Sequence, residues 1–309
     1  MAGSVADCRS ERTGTLTARR WISAAAFVVF VAGFWATSTY VASRTVADRF
    51  DDVALFDLWA GLFGALVGFA LVSCLYAVVW LNGLLALGDR VRARTVATWV
   101  GTVLAILAAV FASLFAGAAN AADSVDKSLA TQTRPLIVVA ALSQVPGLAA
   151  FLALRFIATE DAHWGESGPC RLRLVMRLRT ELRRLLATFG AFLTFLVITT
   201  GLRRRALLEL DPGLALPAEQ VLLYGLVFAV LLGLFYVVAA SAIDRRAERL
   251  LDEFAPLPDP GEAALSDVLR RRTDLASLTG GGGSWRTFET TVVIAAPLLT
   301  ALIGSAIGN

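Results

Sequence analysis

Seven apolar runs separated by short polar ones set the pattern of this chain: Trp21–Ala42, Trp59–Trp80, Val96–Ala118, Pro135–Ala158, Ala187–Leu202, Val221–Ile243 and Thr290–Ile307. About 20 residues at 1.5 Å rise cross a bilayer core of about 30 Å. Each run therefore predicts a membrane span, the fifth being long enough only if upright. The prediction is an all-α, polytopic integral membrane helix bundle of about seven transmembrane helices. Trp59 and Trp80 stand about 31 Å apart along a helix, which suits tryptophans at the two interfaces.

Between the runs lie amphipathic pieces. Cys170–Leu186 carries Arg171, Arg173, Arg177, Arg179, Arg183 and Arg184 against the single acid Glu181, with leucines mostly on one face. A basic amphipathic helix beside apolar runs reads as one lying on the membrane surface, followed by a separate fifth span. Residues 244–254 look like a prolongation of the sixth span. Asp259-Pro260-Gly261-Glu262 offers a cap for another amphipathic helix with Leu265, Val268, Leu269 and Leu275. That helix carries Arg270, Arg271 and Arg272 and stops at Gly280, where a Gly-rich linker leads to the last span.

The segments follow as a disordered cytoplasmic tail (1–20), four spans (21–158), a cytoplasmic loop with the basic helix (159–186), two spans (187–243), a cytoplasmic helical segment and linker (244–287), and a final span (288–309). Arginine marks the cytoplasmic side of a plasma-membrane protein. With the N-terminus inside, inner segments hold 21 of the 28 basic residues, and the C-terminus falls outside. Arg203, Arg204 and Arg205, placed on the outer side, are the exception. The N-terminal run also has the outline of a signal peptide, but no exported folded domain follows it.

Composition sharpens this picture. The chain is 57% hydrophobic and 17% charged, with mean hydropathy +0.69, unlike a soluble domain. A net charge of +3 is too small and dispersed for a nucleic-acid partner. Cys8, Cys74 and Cys170 have no CxxC spacing and give no disulfide framework. The lone histidine, His163, argues against Ser-His-Asp chemistry and multi-histidine zinc sites. HExxH, P-loop and dinucleotide motifs are missing too, so no catalytic, cofactor or metal residues are assigned.

Three candidate sites remain. The nine arginines 171, 173, 177, 179, 183, 184, 270, 271 and 272 form surfaces for the inner leaflet or a cytoplasmic protein. Gly61, Gly64 and Gly68 allow close helix packing, within the chain or in a homo-oligomer. Gln144, Pro146 and Gly147 break the fourth span near mid-membrane, as broken helices do at solute sites. Two functions are therefore expected. The first is a non-enzymatic component or effector of the lipid bilayer whose cytoplasmic helices bind a protein partner or the inner leaflet. The alternative is a transporter or channel for a small neutral or apolar solute.

Overall fold

The computed structural model describes residues 12–42, 54–85, 135–159, 168–210, 218–256, 265–279 and 284–306, and these are helical without a strand. The helices are α1 (Arg12–Ala42), α2 (Ala54–Leu85), α3 (135–142), α4 (Val145–Thr159), α5 (Gly168–Leu210), α6 (Ala218–Phe254), α7 (Leu265–Thr279) and α8 (Ser284–Ala306). Four segments are long and apolar enough to cross a membrane: Leu55–Trp80, Pro135–Thr159, Arg171–Leu210 and Val221–Phe254. Ala25–Val41 and Thr290–Ile303 are shorter apolar helices. Such a set is compatible with a multi-pass membrane protein, because intrahelical bonds satisfy the backbone where no water is available. The expected third span, the cap at 259–262, His163 and the Gly-rich linker lie outside the described residues.

Side-chain registers show how the helices run. Gly33 of α1 meets Gly68 and Leu71 of α2, while Phe34 and Ser38 meet Gly64, so α1 and α2 are antiparallel. Phe151 of α4 packs edge-on against Phe189 of α5, with ring centroids 5.6 Å apart, and lies 6.4 Å from the ring of Phe235 on α6. Arg171 pairs with Glu253 and Arg179 with Asp244, which makes α5 and α6 an antiparallel hairpin. On α8, Val293 abuts Gly190 and Ala301 abuts Gly225, so α8 runs antiparallel to α6. The ends therefore sort into two groups. Residues 85, 159, 168 and 254 share one end of the bundle; 42, 54, 135, 210 and 218 share the other.

Three expectations change here. The basic segment and the fifth span are not separate elements: α5 is one helix of 43 residues, about 64 Å long. No proline interrupts 170–210, and the leucine face of the basic segment continues in phase into the apolar run. Trp59, expected at an interface, is instead buried among Phe56, Phe63 and Leu207. The tail expected over 1–20 is shortened as well, because α1 already begins at Arg12. Two helix ends do follow the pattern. α6 carries on through Phe254, and α7 ends at Thr279, just before Gly280.

Candidate functional site

α5 and α6 pack together along their apolar stretches, and the pairing continues beyond the end of α4. Residues 168–184 of α5 and 244–254 of α6 form this extension, a two-helix stalk. Its seam consists of Val175, Leu178, Leu182, Leu185 and Leu186 on α5 against Ile243, Ala247 and Leu250 on α6, with Leu154, Ile157 and Ala158 of α4 closing the near end. Val175, Leu178 and Leu182 are 0%, 1% and 4% exposed. Each such side chain stabilises the pairing by about 1.5–3 kcal/mol relative to exposure. A face already filled by protein is not available to lipid, so the segment does not lie in the headgroups by its leucines.

Charges flank the seam. Arg171 Nη1 donates to both Glu253 oxygens at 2.8 and 2.9 Å, and Arg179 Nη2 donates to Asp244 Oδ1 at 2.6 Å. Both arginine side chains are largely covered and both acids are more than half exposed. Charge-assisted bonds of this length have specific geometry, but half-exposed pairs contribute only about 0.2–1 kcal/mol each. The leucine seam supplies most of the stability, and the two bridges fix its register.

A third helix closes the stalk's tip. Arg272 of α7 donates to Asp252 Oδ1 at 2.7 Å and to the carbonyl of Ala255 at 3.4 Å. The adjacent acids Asp252 and Glu253 thus hold arginines from two different helices. Leu269 of α7 remains exposed and Val268 half-buried.

Of the other arginines singled out in the sequence, Arg173, Arg177 and Arg183 are exposed on α5, the first two opposite the seam and Arg183 on its flank. They make no ion pair among the described residues. Arg184 sits with them and binds Glu181 at 3.0 Å, one turn away on the same helix. Arg270 is exposed, and the side chain of Arg271 lies outside the described residues. Sequence reasoning missed the acids Asp244, Asp252 and Glu253. Their spacing of eight and nine residues matches that between Arg179 and Arg171, a complementarity visible only once the two helices are paired.

The helix break at 143–144 gathers its polar groups onto one another. Ser143 and Ser73 donate to the carbonyls of Ala140 and Ala70 at 2.6 and 2.8 Å. Both hydroxyl oxygens accept from Gln144 Nε2, at 3.1 and 3.0 Å. The Gln144 carbonyl receives the Gly147 and Leu148 amides at 3.1 Å, starting α4. Pro146 consequently falls in a first turn, where its missing N–H costs nothing. The ring of Phe189 covers Gly147.

The glycines divide. A Cβ on Gly64 would collide with Ser38 Oγ and lie 2.9 Å from Phe34 O; on Gly68 it would lie 2.8 Å from Phe30 O. Their faces are occupied by α1. Gly61 has open space beside it. Comparison with known protein families, curated proteins and solved structures finds no match to this chain.

Proposed function

We propose that this chain is a non-enzymatic, seven-span protein of the plasma membrane whose bundle anchors a cytoplasmic stalk, and that the stalk docks an acidic protein partner. The observation that carries the reading is the row of Arg173, Arg177, Arg183 and Arg184 displayed on the outside of α5. A helix continuous with a span carries Arg173 about 18 Å beyond Leu185, roughly two Debye lengths from the lipid at physiological salt. That distance favours a protein over the leaflet as the ligand of the distal arginines. The seven-span count draws support from Leu85 and Pro135 lying at opposite ends of the bundle, which requires the intervening chain to cross. Orientation rests on the excess of arginine on the stalk side.

The test is cross-linking in native membranes, comparing the intact chain with Arg173→Glu/Arg177→Glu/Arg183→Glu. The reversed face should lose its cross-linked proteins, and raised salt should weaken them in the unaltered chain. Recovery of the same proteins by the reversed face would refute the docking surface. Deleting 259–279 should also reduce recruitment while leaving insertion intact.

A second reading, passage of a small neutral or apolar solute, is favoured by the buried Gln144 amide at a break midway through a span. Pro146→Ala should then change flux in proteoliposomes, whereas unchanged flux leaves the cluster a packing role.

A further inference from the structure

Apart from the stalk, one cationic group stands beside a cavity. Arg155 is exposed near the end of α4 and makes no ion pair among the described residues. Next to it is a cavity of about 240 Å³ lined by Leu152, Arg155, Phe156 and Thr159. These positions follow i, i+3, i+4 and i+7, so they share one face of the helix. Thr159 turns its hydroxyl back to the carbonyls of Arg155 and Phe156 at 3.1 Å.

Height decides what such a cavity can hold. The spanning segment begins at Pro135, so Arg155 lies about 30 Å along it, one hydrocarbon thickness from its start. The guanidinium therefore stands at headgroup level, with the half-buried ring of Phe156 beside it and the buried Leu152 a turn deeper at the cavity's floor. A cation at the mouth of an apolar cavity, at that depth, is complementary to a molecule with an anionic head and a hydrocarbon body. The guanidinium fork also matches phosphate oxygens two at a time.

We propose that this cavity is a binding site for an anionic phospholipid. Arg155 holds the headgroup phosphate, and the half-buried ring of Phe156 takes the first carbons of an acyl chain. The site is independent of the stalk's docking role, which uses other residues on another helix. A zwitterionic lipid fits less well, because its headgroup cation would be set against the arginine.

The experiment is native mass spectrometry of the full chain released from nanodiscs containing phosphatidylcholine and phosphatidylglycerol in equal amounts. Both lipids offer a phosphate, but the choline cation of phosphatidylcholine would be set against Arg155, so phosphatidylglycerol should be retained severalfold over phosphatidylcholine. Arg155→Gln should erase that preference, Arg155→Lys should keep most of it, and Arg173→Gln should leave it unchanged. Thr159→Phe, which fills the cavity without touching the charge, should weaken retention and serves as the readout if Arg155→Gln fails to insert. Undiminished preference in both Arg155→Gln and Thr159→Phe overturns the site. An equal loss in Arg173→Gln would also overturn it, by showing a diffuse charge effect. Displacement of the lipid by soluble glycerol phosphate at comparable concentration would reduce it to a phosphate site and contradict the acyl contact.

Discussion

The α1–α2 pair and the α5–α6 hairpin bring two helices together by opposite means. In α1–α2 the backbones approach at glycines: an added methyl at Gly33 would stand 3.1 Å from Gly68 Cα. Between apolar helices in lipid there is little hydrophobic drive, so close packing of small residues is what favours contact. The distal half of α5–α6 has a leucine seam edged by arginine–carboxylate bridges. That is how helices pair in water, where burying leucine is favourable and charges can stay half solvated.

Substitutions can break that comparison, beginning with the seam. Leu178→Ala removes a side chain that is 1% exposed and should cost about 2–5 kcal/mol, read as a lower melting midpoint in detergent together with protease cleavage within the stalk. Gly68→Val forces a branched side chain onto Phe30 O and should cost about 1–3 kcal/mol, read as a lower melting midpoint with the stalk still protected. A double-mutant cycle on Arg179→Gln and Asp244→Asn should return a coupling of about 0.2–1 kcal/mol that shrinks with added salt. Gly61→Ala, beside open space, should change the midpoint within about ±0.5 kcal/mol. An effect there as large as at Gly68 would mean that a further helix, or a second copy, uses that face.

Much of this architecture was legible because apolar length and helix period are local properties. The run from Val221 onward, its charged prolongation to Phe254, and the end of α7 before Gly280 all follow from residues within a turn or two. What failed depended on partners distant in sequence. Residues 170–186 have the composition of a surface helix, and only the seam with 243–250 shows that their leucines are already covered. Arg171 and Glu253 are 82 positions apart, so no local pattern announces their pairing. Trp59 has the composition of an interfacial anchor, but Leu207 and the rings of Phe56 and Phe63 enclose it. The phase of the apolar residues was a missed clue: Leu178, Leu182, Leu185 and Phe189 share a face that extends without a break into the apolar run. The break at Gln144 was visible from Pro146 and Gly147, whereas the hydroxyl of Ser73 that receives its amide lies 71 positions away.

The central claim is that the basic segment rises from the membrane as the continuation of a span. Spin labels at Arg173→Cys and Glu209→Cys, both exposed positions of α5, test it directly in nanodiscs, with the three native cysteines replaced. Thirty-six residues of unbroken helix place the two backbones about 54 Å apart, whereas a segment folded flat onto the bilayer at residue 187 would bring them to about 39 Å. A narrow distance distribution near the longer value is the expected result; one centred near the shorter value would contradict the stalk and the docking surface drawn from it.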